Sequence, residues 1–356
     1  MASSIGVSAT VAIDHLYYRK ILMGKKYKAE VPTPWQRLIA MLDVERSTIN
    51  YIFIYAILIG LIGLTLPLGT TAVFNLLSNG ALYSSTYVLI GGVLIGVMIG
   101  GVLLIGQLSL VELIEQKIFT KATLEFAYRF PRIKKSELEG EHPPELVNRF
   151  FDVITIQKGL TKLLVDIVAS GVQIALSAIL LSFYHPVFMA FGLLTVVATI
   201  VVLLLYYKRG VQTSIEESHY KYEAVAYLEE VAADLDRYRG QPDKLRQVIV
   251  NTDRITANYL QARNDHFRIL RKFFASSVIV RTMLMGGLLF LGSYYVVQRE
   301  MTLGQFVAAE VIIVQISYAL EKFMTNLDTI FDMVTGSEKI AAVTDLELEE
   351  SEVRHG

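Results

Sequence analysis

Between two strongly apolar segments lies a charged stretch of about 67 residues, Tyr206 to Lys272. It carries twelve Lys/Arg and ten Asp/Glu but only two glycines, Gly210 and Gly240, and one proline, Pro242. With so few helix breakers it reads as long helix rather than linker. A shorter stretch of the same character runs from Val111 to Lys162. Around these two extensions lie six apolar runs of roughly 20 residues, each enough to cross a hydrocarbon core about 30 Å thick. The charged residues, 19% of the chain against 53% hydrophobic, therefore lie mostly outside the bilayer, which keeps mean hydropathy at a moderate +0.46. A soluble fold would not hold so many long uncharged runs. The expected class is an all-α membrane protein, six transmembrane helices with long polar helical extensions. The chain has no cysteine, which excludes disulfides, iron–sulfur clusters and thiolate metal sites.

Residues 1–32 are mixed, with a basic run at Lys25, Lys26 and Lys28, and read as an arm with no removable signal peptide. Pro34 to Leu42 is a short amphipathic stretch holding the single tryptophan, Trp35, as expected of a helix lying along the membrane interface; an ordinary solvated helix is the plainer alternative. The first span is predicted over about Ile49–Phe74, kinked by Pro67. A largely polar turn over 75–85 leads to the second, about Tyr87–Leu110, where Gly92, Gly96 and Gly100 set small residues on one face for close helix packing, within a bundle or a dimer. Helical pattern continues past Val111 and breaks at Phe130-Pro131-Arg132 and Glu141-His142-Pro143-Pro144. Helix resumes at Glu145 and leads into span three, about Leu163–Leu181; spans four, five and six follow over about Val187–Leu205, Phe274–Val297 and Phe306–Phe323 and beyond.

The turns near 78–86 and 182–186 contain no Lys or Arg, and that near 298–304 contains Arg299 alone. The first 48 residues and the two extensions hold 28 of the 33 Lys/Arg. The positive-inside rule then places both termini and both extensions in the cytoplasm, around a multi-pass protein of the cytoplasmic (inner) membrane.

This layout resembles the transmembrane domain of a type I ABC exporter. Pro34 to Leu42 looks like the family's elbow helix, and Pro67-Leu68-Gly69 resembles its proline-containing first span. The run Glu145-Leu146-Val147-Asn148-Arg149-Phe150-Phe151-Asp152-Val153 is similar to the segment after the first coupling helix, and Tyr222 through Val231 to the second coupling region. Thr302 to Ala309 resembles the opening of span six, and Ser337-Glu338-Lys339-Ile340 its exit. The resemblance covers roughly residues 33–345 and is nearest to the protein- and peptide-secreting, hemolysin-type branch. It implies an elbow at 33–43, coupling regions near 131–145 and 222–238, an acidic tail over 346–356, and a homodimer or heterodimer of such subunits. It also implies an ABC ATPase subunit and a periplasmic adaptor as partners, and coupling to the ATPase through Glu145, Asn148, Arg149, Tyr222, Glu223, Glu229 and Glu230.

Such exporters usually continue into an ATPase domain, whereas this sequence stops at Gly356. No G-x-x-x-x-G-K-[ST] phosphate loop is present: Gly24-Lys25-Lys26 lacks the earlier glycine and the hydroxyl residue, and Ser170-Gly171-Val172-Gln173 lies inside a span. No cofactor is therefore expected in this chain, and ATP and Mg are expected on a partner subunit.

Asp166, Arg281 and Glu310 are ionisable groups at apparent membrane depth, where charges are costly and face a bundle interior or a water-filled cavity. They are candidates for lining a pathway; Asp166 and Arg281 are also candidates for pairing with one another, and Glu310 for an interfacial position. Gln173 and Gln315 read as interhelical hydrogen-bond partners. The six histidines show no metal-ligand spacing, and no catalytic triad is arguable. Seven tyrosines in 206–272 fit packing between long helices; no nucleic-acid partner is expected. The expected function is thus the permease subunit of an ABC exporter-like transporter. Its alternatives are a non-transporting scaffold or regulatory subunit that kept the fold, and an ion-driven transporter, which would need inverted repeats and broken helices absent from the pattern.

Overall fold

The computed structural model describes residues 33–43, 45–77, 84–138 and 143–349. Residues 1–32, 44, 78–83, 139–142 and 350–356 lie outside them, and with them the expected arm, part of the turn expected over 75–85, part of the break expected at Glu141–Pro144 and most of the expected tail over 346–356. The described residues are 93% helical, and their extended structure is one isolated bridge, Ile133 to Leu348.

Helix α1 (Pro34–Asp43) precedes the first span. That span is two pieces, α2 (Arg46–Gly63) and α3 (Thr65–Leu77). The break falls at Leu64, three residues before Pro67, because a proline ring displaces the carbonyl four residues back and has no N–H to bond it. Leu64 N–H tightens instead onto Leu61 C=O at 3.2 Å. Helix α4 (Ser84–Arg129) runs unbroken for 46 residues, about 69 Å at 1.5 Å per residue, so the second span continues as the first extension. It stops in a tight turn, Phe130–Arg132, at Pro131. Short helices α5 (Lys135–Leu138) and α6 (Pro143–Asn148) form the far end, and α7 (Asp152–Thr161) returns. A π-helical segment, Lys162–Ile167, joins α7 to α8 (Val168–Tyr184). Helix α9 (Pro186–Ala233, 48 residues) carries span four into the second extension, whose tip is α10 (Leu235–Tyr238). Helix α11 (Pro242–Gly287, 46 residues) climbs back, widening into a second π segment at Leu288–Gly292 before α12 (Ser293–Val297). Span six is α13 (Leu303–Thr325), opened by a capping box in which Thr302 and Gln305 satisfy each other's backbone N–H groups. Helix α14 (Leu327–Thr344) continues it.

Two apolar cores hold the bundle. One joins α8, α9, α11 and α13 through Leu181, Phe188, Phe273, Leu284, Ile312 and Ile316, each at most 0% exposed. The other joins α1, α2, α4, α7 and α14 through Leu38, Ile52, Ile114, Ile156 and Met333. Helix α14 enters both, with Phe331 in the first and Met333 and Val334 in the second, and so ties them together. Gly96 and Gly100 of the small-residue stripe lie against α3 and α2: a Cβ at Gly96 would sit 2.9 Å from Thr65 Oγ1, and one at Gly100 3.5 Å from Ile62. The stripe therefore packs the first span on the second within one chain, while Gly92 stands open. The outer faces of α4 and α9 are apolar, with Val88, Ile105 and Leu204 between 66% and 76% exposed, as suits a lipid-facing surface.

At the start of the first span Glu45 is gripped from α4, its carboxylate 2.8 Å from Lys117 Nζ and 3.1 Å from Lys121 Nζ. Burial alone would raise its pKa; the two lysines outweigh that and hold the carboxyl below the usual range.

Candidate functional site

The two polar extensions meet in a joint well beyond the apolar runs. Asp152, at the start of α7, is 4% exposed, and its Oδ2 accepts a 2.5 Å hydrogen bond from the Tyr222 hydroxyl on α9. A buried carboxylate left without such donors would be costly. The ammonium groups of Lys221 and of Lys339 on α14 lie 5.4 Å and 5.2 Å from the centre of the Tyr222 ring. Burial pushes the Asp152 carboxyl above its usual range, opposed by the Tyr222 hydrogen bond and the charges of Lys221, Lys339 and Arg149. One turn earlier in the first extension, Asn148 Nδ2 donates to Glu229 Oε1 of the second. Both extensions and the end of span six thus converge on one polar cluster.

Of the residues the sequence singled out, Asn148 and Glu229 are in direct contact, and Tyr222 joins Asp152. Arg149 reaches back to Glu145 at 3.5 Å, an i,i+4 pair on the same face. Glu223 and Glu230 lie apart from the joint, along a shallow groove between α9 and α11 shared with Tyr227 and Arg254. Sequence reasoning missed Asp152, Lys221 and Lys339 as members. Asp152 stood inside the quoted motif, and its position three residues after Arg149 was the available signal.

A second polar layer runs between the second extension and span six. His266 on α11 is fully buried, with Nδ1 2.8 Å from Thr213 Oγ1 and Nε2 3.1 Å from Asp328 Oδ1. Ser214 Oγ lies 2.8 Å from Thr335 Oγ1, and Arg263 grips both oxygens of Glu217 at 3.1 and 3.2 Å. Here α9 packs so closely that a Cβ at Gly210 would meet the Phe331 ring at 2.5 Å.

At membrane depth, Asp166 and Arg281 do not pair. Asp166, on the π-helical segment, is held by Lys322 of span six at 2.8 Å and by Lys162 of its own segment at 3.1 Å. Arg281 instead meets Glu321 at 3.0 Å on a face where both side chains are more than half exposed. Gln173 Nε2 donates to Gln315 Oε1 at 3.2 Å, joining spans three and six. Glu310 is exposed on α13. Among the described residues no group of His, Cys, Asp and Glu is arranged to hold a metal ion.

Among the described residues six helices are long and apolar enough to cross a bilayer, which defines a multi-pass membrane protein, and residues of both polar extensions and of α14 meet in one polar cluster. A family model described as ABC transporter transmembrane region matches residues 49–235, more than half of the chain. The protein belongs to that family, and membership implies an ABC ATPase partner. No curated protein matches the chain.

Proposed function

We propose that this chain is the permease subunit of an ABC exporter of the protein- and peptide-secreting type, working as a dimer in the cytoplasmic membrane with both termini and both extensions in the cytoplasm. ATP and Mg bind a partner nucleotide-binding subunit. Its closure moves the tips of the extensions, and the helices carry that motion into the spans to alternate access to the pathway. Glu145, Arg149, Glu223 and Glu230 belong to the coupling regions that receive it, and a periplasmic adaptor completes the route.

The observation that carries this reading is the joint at Asp152, Tyr222, Asn148, Glu229 and Lys339, where hydrogen bonds join the two extensions and a cation–π contact from Lys339 brings in the end of span six. Displacing either tip then pulls on the end of span six through these contacts. The exposed Arg281–Glu321 pair supports a dimeric pathway, because a charged pair at bilayer depth is costly against lipid and belongs beside water or a second copy. Glu310 and Gln315 lie on the same span and would line that route. The test is reconstitution of the chain in liposomes with an ABC ATPase subunit. Binding that survives in wild type and is lost when the α10 tip is replaced by a Gly-Ser turn supports the reading; absence of binding to the intact chain would overturn it.

A further inference from the structure

Beyond α14 the chain turns back along the tip of the first extension. Lys134 N–H donates to Glu347 C=O at 3.0 Å, and Glu349 N–H donates to Arg132 C=O at 2.7 Å. Ile133 and Leu348 therefore face each other as a non-hydrogen-bonded antiparallel pair, the arrangement that brings side chains closest. Lys134 Nζ lies 2.5 Å from Glu347 Oε2 across this short ladder, and that contact holds the Glu347 carboxyl below its usual range. Just upstream Asp345 accepts from Arg37 of α1 at 2.5 Å, Leu346 packs against the second core, and Ser337 Oγ donates to Pro34 C=O at 2.9 Å.

We propose that residues 345–349 are a strap that locks the tip of the first extension to the end of span six, with the Lys134–Glu347 ion pair as its clasp. Backbone hydrogen bonds fasten one end and Arg37 the other, so α1, the first extension and α14 move as one block. The second extension meets this block through side-chain hydrogen bonds, at Tyr222–Asp152, Asn148–Glu229 and His266–Asp328, which break and reform more readily than a ladder. The clasp residues are 41% and 68% exposed, so salt screens their attraction and ionic strength sets how often the strap opens. The strap stands apart from the transport reading, because its test uses this chain without any partner.

The chain has no cysteine, so Ile133→Cys with Leu348→Cys introduces a single possible intramolecular disulfide, across a pair whose Cα spacing of about 4.5 Å permits one. In nanodiscs under mild oxidant the disulfide forms at low salt, and forms several-fold more slowly in about 1 M salt. Lys134→Glu slows it likewise, and Lys134→Glu with Glu347→Lys restores the rate. Independently of any variant, hydrogen exchange on the wild-type chain shows the Lys134 and Glu349 amides protected, with protection falling as salt rises. Thiols that stay reduced together with unprotected wild-type amides would overturn the strap. A disulfide rate and amide protection both indifferent to salt and to Lys134→Glu would overturn the clasp.

Discussion

Tyr222 and Asp152, 70 residues apart, meet at 2.5 Å and bond the second polar extension to the first. Tyr222→Phe removes the only hydrogen on that side chain that Asp152 can accept while keeping the ring beside Lys221 and Lys339. The carboxylate is left buried with an unmet acceptor, a loss of about 1–3 kcal/mol. Chemical unfolding in detergent should show it, and Asp152→Asn added to Tyr222→Phe should cost less than the sum of the two single changes, since they break one contact.

Gly210 sets how closely α9 approaches α14. Gly210→Ala drives a methyl into the Phe331 ring, which a Cβ would meet at 2.5 Å. Overpacking of this kind costs about 1–3 kcal/mol. The thermal midpoint should fall, and Phe331→Leu in the same chain should recover much of the loss by making room for the methyl.

Glu45 gives the fold a pH dependence with a definite sign. Its folded pKa lies below the unfolded value because Lys117 and Lys121 favour the charged form over the penalty of burial. A depressed carboxylate stabilises the fold above its unfolded pKa of about 4.3, and that contribution is lost as pH falls through the folded value. Glu45→Gln should therefore be less stable than wild type near neutrality, with the gap in unfolding midpoint closing as the medium is acidified. A gap that widens toward acid would contradict the assignment.

His266 fills both sides of a buried polar contact. His266→Leu takes a partner from the Asp328 carboxylate and one from the Thr213 hydroxyl, which keeps its bond to the Arg209 carbonyl, so it should destabilise by about 1–3 kcal/mol. Proteolysis should then cut preferentially in the second extension, whose attachment to span six has been loosened. His266→Gln, able to reach one of the two partners, should lie between.

The spans, their long extensions and the break at Pro131 were legible in the sequence because they rest on run length and on proline chemistry. The joint was legible in part. Tyr222, Asn148 and Glu229 stood in motifs, but that Asn148 meets Glu229 and Tyr222 meets Asp152 depends on the rotation of helices about their axes, which no local pattern sets. The same rotation decided Asp166. It lies on a π-helical turn, without a sequence signature, and meets Lys322, while Arg281 meets Glu321. The strap was illegible, since two or three residues of ladder between Arg132–Lys134 and Glu347–Glu349 leave no periodicity to read.

The central claim is that motion enters the membrane through the joint. It is tested by ATP hydrolysis of an ABC ATPase subunit in liposomes carrying wild-type chain, Tyr222→Phe chain, or none. Hydrolysis should rise with the wild-type chain, while the Tyr222→Phe chain should bind the ATPase equally well and raise its rate much less. Equal rates with the wild-type and Tyr222→Phe chains, the ATPase being bound to both, would contradict it.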